Sequence, residues 1–416
     1  MNNTTFKTTL LNIIKLSALG VLVGALGGLL GAAFSHTLAF VTTLRESTPW
    51  LILLLPVGAV ATAFLYRVFK AKDVSSTNEI ILCIAHNKPV RFIAAPLIFL
   101  TSAISHLFGG SAGREGAALQ LGGASASWLC RTLKLNEDDS SAISTSGMSA
   151  VFAGLFGAPL TAAFFVLEFH WGFKKLLKTV FPVFISSIVA DKLCSVLGVE
   201  TEKLHLLSVP EITLPTLLKT ILLTLAVGLL GWILCFLINS FRGPIKHALP
   251  NIYISSALFG ALLIVLTALV GDMRYNGSGM PLVMTAVEGN ANWFDFLLKL
   301  AFTCVTLAAG LKGGEIVPTF TVGATFGCVF GSLLGLSPSL SAVLGLVGLF
   351  AAATNSPISA VFLGIELCGV SALPYYLLVC LILWPISARK GLFKNRFFQP
   401  LNFKAILNPT FDTQKM

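Results

Sequence analysis

The chain has 416 residues, 55% hydrophobic and 11% charged, with a mean hydropathy of +0.86. Soluble globular proteins carry about 25% charged residues, so this composition excludes a soluble domain and points to an integral membrane protein. The net charge of +10 reads as short-loop cations that orient membrane helices, not as a nucleic-acid surface, and no nucleic-acid partner is expected.

The N-terminus, MNNTTFKTTLLNIIKL, is polar and then runs into an apolar stretch too long for the core of a signal peptide, so the first segment is expected to be retained. A bilayer crossing takes about 20 apolar residues in a helix. Candidate segments lie near 9–43, 50–69, 92–108, 116–133, 143–168 and 176–197. A second set lies near 214–240, 252–271, 294–311, 319–335, 339–366 and 373–387. The first is too long to cross straight. Those near 116–133 and 319–335 are short and glycine-rich, and those near 143–168 and 339–366 carry a central proline, Pro159 and Pro357. Short or Gly/Pro-interrupted segments in matching places predict broken helices around a central site. Lys7, then Arg67, Lys70 and Lys72, then Arg389, Lys390, Lys394 and Arg396 are expected on the cytoplasmic side. The loop after the first segment, with only Arg45 and Glu46, is expected outside. The eight cysteines are scattered singly, without a disulfide or metal-ligand pattern.

The chain repeats itself. With Glu115 laid over Glu315, FGGSAGREGAALQLGGASA falls on AAGLKGGEIVPTFTVGATF. FAGLFGAPLTAAFFVLE (152–168) falls on FAAATNSPISAVFLGIE (350–366), pairing Phe152 with Phe350, Pro159 with Pro357, Phe164 with Phe362 and Glu168 with Glu366. Two matches at nearly one offset predict a duplicated unit. The first repeat is placed at 1–205, the second at 206–397, and a short cytoplasmic tail at 398–416.

An ionisable group at bilayer depth costs about 2.5–3.5 kcal/mol on insertion scales. Glu115 and Glu315 nevertheless sit in corresponding places, each beside a glycine run that frees the chain to break its helix. A broken helix exposes unpaired N–H groups and a partial positive charge at its N-terminus, which is an anion site. A carboxylate beside that point competes with the anion when ionised and need not when protonated, which couples anion to proton. The simpler alternatives are a structural Arg114–Glu115 pair, helix-end roles for Glu168 and Glu366, a boundary lysine at Lys312, and packing roles for His106 and His170. NEDDSS (136–141) reads as a solvated loop and HNKPVRF (86–92) as a cytoplasmic turn.

GGSAGREGAAL (109–119) resembles the G-x-G-R-E-G-P motif of the CLC chloride channels and anion/proton antiporters, with Ala117 in place of the proline. GLFGAPLTAAFFVLE is similar to the family's stretch after that motif, and GGEIVPTFTVGATFG (313–327) to its G-G-x-F-x-P region. The resemblance spans essentially the whole chain. It implies an all-α membrane fold of two inverted, intertwined repeats whose broken helices meet at a central anion site, in a homodimer. It makes Glu115 the gating glutamate and lets Gly113, Arg114 and Gly116 shape the helix N-terminus. The amides around Glu315, Ile316 and Val317 would line the site from the second repeat. Glu315, as G-G-E, looks like the fluoride/proton antiporter branch, and a protonated Glu315 could donate to fluoride. The serine motif G-S-G-I-P is missing where DVSSTNEIIL (73–82) stands, and the internal proton glutamate of the chloride exchangers aligns with Phe169. Against that branch, the threonine after the glutamate is Val317, the pore tyrosine is Phe393, and no phenylalanine occurs between 74 and 91. Ser76, Thr77 and Asn78 are the candidates for the first-repeat lining.

The first functional reading is fluoride(halide)/proton antiport; the alternative is a chloride/proton antiporter or a voltage-gated-type chloride channel of the same family. No cofactor or metal is implied. The partners are a halide, protons and the bilayer of a bacterial inner membrane, with both termini cytoplasmic. A membrane enzyme acting on lipid phosphates at NEDDSS is disfavoured, because its acids lack the paired spacing that holds Mg²⁺.

Overall fold

The structure, a computed structural model, describes residues 3–169, 173–201, 203–242, 249, 251–387 and 391–393. His170, the tail cations Arg389, Lys390, Lys394 and Arg396, and the expected tail at 398–416 lie outside them. Sixteen α-helices make up the described residues, joined by turns and three short 3-10 stretches. In chain order they are α1 (Asn3–Ser47), α2 (Leu55–Val68), α3 (Thr77–Ala85), α4 (Ala94–Leu107), α5 (Glu115–Thr132), α6 (Glu137–Phe156), α7 (Pro159–Leu167) and α8 (Phe173–Val196). Then come α9 (Leu214–Arg242), α10 (Ile252–Val270), α11 (Met280–Val287), α12 (Asp295–Ala308), α13 (Ile316–Leu333), α14 (Pro338–Thr354), α15 (Pro357–Cys368) and α16 (Leu373–Ile386).

Six of these stretches are long and apolar enough to cross a membrane. At 1.5 Å per residue α1 is roughly 67 Å long, more than twice a hydrocarbon core of about 30 Å, so it runs steeply tilted or projects beyond the bilayer. α9 turns Leu218, Leu222, Leu225, Leu229, Trp232 and Phe236 outward, the face such a helix gives to lipid. The prolines break their segments as predicted. α6 stops at Gly157 and α7 restarts at Pro159; α14 stops at Asn355 and α15 restarts at Pro357. Proline has no N–H to give and is tolerated in the first turn, where none is needed.

Within each half, the two helices that follow the glycine run pack backbone against backbone. A Cβ on Gly122 would meet the Gly147 carbonyl of α6, and one on Gly323 the Gly345 carbonyl of α14, so both crossings require glycine. The halves are also interlocked. Ser111 N–H donates to Thr306 Oγ1 on α12 (2.9 Å), and Lys312 N–H donates to Ser105 Oγ on α4 (2.9 Å). The loop of each half thus leans on a helix of the other. Phe164 and Phe362, paired in the internal repeat, stack face to face at 4.4 Å.

Glu168 and Glu366 are not ordinary helix-end residues. The Glu168 carboxylate accepts from Ile358 N–H (3.0 Å), Ser359 N–H (3.2 Å) and Ser359 Oγ (2.7 Å), at the start of α15. The Glu366 carboxylate accepts from Leu160 N–H (2.9 Å), Thr161 N–H (2.7 Å) and Thr161 Oγ1 (2.6 Å), at the start of α7. Each half caps a broken helix of the other with a charge that favours a helix N-terminus. Glu168→Ala and Glu366→Ala should each cost about 2–4 kcal/mol, because three donors lose a charged acceptor. Thermal unfolding in detergent would show it, and a melting temperature indifferent to both changes would end this account.

Three expectations are corrected. NEDDSS is not a loop: α6 begins at Glu137, Asn136 caps it by accepting from Asp139 N–H (2.9 Å), and Asp139 pairs with Lys15 at 2.9 Å. Three acids in a first turn suit the helix dipole, which a reading by apolar run alone could not see. Arg45 is not a loop residue; it lies in the last turn of α1, is 6% exposed and donates to the His106 carbonyl. Finally, α3 and α11 were not foreseen, since helices of nine and eight residues are too short to register as crossings.

Candidate functional site

α5 and α13 both begin deep in the protein without a side-chain N-cap. A helix start normally finds acceptors for its free N–H groups; here glycines occupy the approach instead. The two approaches meet. Gly113 N–H donates to Gly314 O at 2.7 Å and Gly314 N–H to Gly113 O at 2.6 Å, an antiparallel bridge across the two halves. A Cβ on Gly314 would lie 2.5 Å from the Gly116 amide nitrogen, so no other residue fits. Two uncapped helix N-termini are therefore held side by side.

Glu115 opens α5, is 1% exposed, and has no hydrogen-bond partner for either carboxylate oxygen. The amides of Arg114, Glu115 and Val317 surround it without aligning on it. It lines a cavity of about 550 Å³ with Arg45, Arg114, His106, Phe156, Met280 and Val317 among the other walls. Arg114 Nε stands 3.9 Å from Glu115 Oε1, but its guanidinium is anchored elsewhere, on Ser35 Oγ (3.3 Å) and Leu155 O (3.1 Å).

The other predicted residues fall into two groups. Gly113, Gly116, Ile316 and Val317 are buried at the junction. Ser76 caps α3, its backbone N–H bonded to Glu79 Oε2 at 2.9 Å while its hydroxyl accepts from Glu79 N–H. Thr77 reaches the junction: its hydroxyl donates to Gly116 O (3.1 Å) and accepts from Gln120 Nε2 (3.0 Å). Asn78 turns away and donates to Leu392 O (2.9 Å), beside Phe393. Phe393 lies 5.8 Å from Phe165 and 5.7 Å from Phe169, ring centre to ring centre. Phe156, Phe320, Phe350 and Phe165, from other elements, touch in sequence from the cavity wall toward Phe393.

Glu315, which when protonated could donate to fluoride, is buried at the start of α13. Its carboxylate forms an ion pair with Arg242, the last residue of α9. Glu315 is 7% exposed and caps α13, its carbonyl accepting from Thr319 Oγ1 at 2.8 Å. Arg242 was missed by sequence reasoning, but a signal existed: it stands 197 residues after Arg45, close to the repeat offset, and each arginine lies in the last turn of the first long helix of its half. Lys312, read as a boundary lysine, is partly buried; its ammonium donates to Ser75 O at 2.6 Å and lies 4.4 Å over the Tyr66 ring. A second missed feature is Gly277-Ser278-Gly279-Met280-Pro281, the turn into α11 and its first two residues. Ser278, Gly279, Met280 and Pro281 line the cavity with Glu115.

Known proteins share this architecture. A chloride/fluoride channel protein of Pseudomonas syringae pv. tomato is 31% identical over 391 residues, 92% of this chain and 86% of its own. The H(+)/Cl(-) exchange transporter ClcA of Vibrio parahaemolyticus is 26% identical over 403 residues, 89% of this chain and 85% of its own. The crystal structure of a CLC-type fluoride/proton antiporter superposes with a TM-score of 0.85 at 30% identity, over 92% of this chain and 98% of that one. The profile of the voltage gated chloride channel family matches residues 57–383. Sharing both this family's sequence profile and the CLC fold, the chain belongs to the voltage gated chloride channel, or CLC, family.

Proposed function

We propose that the protein exchanges fluoride for protons, with Glu115 as the group that alternates between anion and proton. The observation that carries this is the Glu115 carboxylate, buried without a hydrogen-bond partner, at the meeting of two uncapped helix N-termini. Those amides suit one negative charge. With Glu115 ionised, its own carboxylate holds that place. With Glu115 protonated, the charge is gone and a halide takes the place. Because the place holds either the carboxylate or a halide, halide movement is coupled to the protonation of Glu115. The fluoride preference rests on the glutamate after Gly313-Gly314 and on likeness to the fluoride/proton antiporter and the chloride/fluoride channel protein. The chloride-exchanging relative keeps chloride/proton exchange as the second reading.

The same reading takes the chain as two inverted units, about 1–205 and 206–397, working as a homodimer in a bacterial plasma membrane with cytoplasmic termini. Proteoliposomes loaded with fluoride or chloride test it. A gradient of about two pH units stores about 2.7 kcal/mol per proton, enough at one-for-one exchange for a roughly 100-fold anion gradient. Fluoride should accumulate against its gradient and chloride much less. Equal chloride accumulation would favour the second reading, and halide flow without proton movement would exclude exchange.

A further inference from the structure

We infer that Lys299 is a positioning residue for anion uptake from the Glu115-lined cavity: its buried amine fixes the turn that walls the cavity and, when protonated, sets a positive charge behind it. The inference rests on the anion-transport reading above. Lys299 lies on α12 and is 0% exposed. Its Nζ donates to Gly277 O at 2.8 Å and Tyr275 O at 3.1 Å, both in the turn that leads into α11. The same turn donates Gly277 N–H to Gly110 O (3.1 Å) and Asn276 Nδ2 to Gly109 O (2.8 Å), at the approach to Glu115. Gly279 O accepts from Thr321 Oγ1 of α13 at 3.1 Å. Lys299 therefore fastens a turn that touches both central approaches, and Ser278, Gly279 and Met280 of that turn line the cavity with Glu115.

A buried lysine ordinarily finds a carboxylate. The obvious one is Asp295, one helical turn back on α12. Asp295 is engaged otherwise: it accepts from Tyr275 Oη (2.5 Å) and Asn292 N–H (2.7 Å), and faces Arg274 Nη2 at 3.6 Å. No carboxylate of the described residues pairs with Lys299. The cavity lining itself is balanced, with Arg45, Arg114 and Arg274 against Glu46, Asp272 and Glu115. That balance holds with Glu115 ionised; a protonated Lys299 adds a positive charge behind the wall in either state of Glu115. Away from water such a charge is weakly screened, so it acts on an anion in the cavity at distances where a surface lysine would not. The turn before α3, on the opposite half, is held in the same way, by Lys312 Nζ on Ser75 O at 2.6 Å.

Halide uptake by proteoliposomes of wild type, Lys299→Met and Lys299→Arg tests this, with unfolding temperatures measured alongside. Lys299→Met keeps the stem and drops the charge. It should raise the apparent KM on the order of tenfold, with the change in KM and not in kcat. It should also flatten the fall of kcat/KM with ionic strength. Lys299→Arg should restore most of the KM. Should Lys299→Met fail to fold, Lys299→Arg and Lys299→Gln still separate charge from bulk, because a charge role groups arginine with wild type. A KM unmoved by loss of charge in a folded, transporting variant overturns the role of Lys299 alone. Wild-type protein that moves no halide overturns the transport reading together with it.

Discussion

Glu115→Gln is expected to abolish proton-driven halide accumulation while leaving passive halide flow. Glutamine has the size of a protonated glutamate and cannot ionise. It vacates the charge at the α5 and α13 N-termini permanently, so an anion has no carboxylate competitor. It also removes the group that would carry the proton. Positioned proton-transfer groups contribute about 10²–10⁴-fold, so coupled exchange should fall by about a hundredfold or more. The surroundings make the substitution clean. Neither carboxylate oxygen has a hydrogen-bond partner, so no hydrogen-bond network collapses with the charge, and the Arg114 guanidinium, which loses its ion pair with Glu115, keeps Ser35 and Leu155 O. Simultaneous recording of halide efflux and internal pH would show halide leaving without protons entering. A variant that still pumps at the wild-type proton-to-halide ratio would remove Glu115 from the mechanism.

How much of this was legible depended on distance along the chain. Pro159 and Pro357 mark breaks because proline acts on its own backbone, and the helices break where they stand. Glu115 and Glu315 stand out because a charge beside glycines in an apolar run is locally anomalous. The pairing of Phe164 with Phe362 and of Glu168 with Glu366 was visible as repetition. What Glu168 does was not, since the amides it caps lie 190 residues away and a glutamate ending a helix looks the same whether it faces solvent or a second helix. Arg242 and Lys299 were missed for the same reason. Each ends or interrupts an apolar run in the manner of an interfacial cation, and only the fold brings Arg242 to Glu315 and Lys299 under Gly277. The helices α3 and α11 carry too few residues for periodicity to speak, although the turns before them hold residues that reach the centre.

The Arg242–Glu315 pair makes the second large prediction. Glu315→Gln and Arg242→Met should each reduce halide flux by about tenfold or more, and the double variant should regain part of what either single change loses. Breaking a fully buried pair by removing one partner costs about 3–5 kcal/mol; with the Arg242 side chain 30% exposed, roughly half that is expected here. Either single change leaves a charge beside the start of α13 without its partner. An unpaired arginine would draw the halide away from the Glu115 junction, and an unpaired glutamate would repel it. The double variant removes both errors, and recovery of stability and flux together is the signature of a pair acting as a unit. Were Glu315 instead a neutral donor to fluoride, Arg242→Met would barely affect transport and Glu315→Gln would carry the whole loss. A double-mutant cycle on unfolding temperature and flux decides between them: effects additive to within about 0.5 kcal/mol would dissolve the pair. A non-additive cycle that changes the fluoride-to-chloride ratio would locate ion choice at the α9–α13 contact, on the opposite helix approach from the one that Glu115 begins.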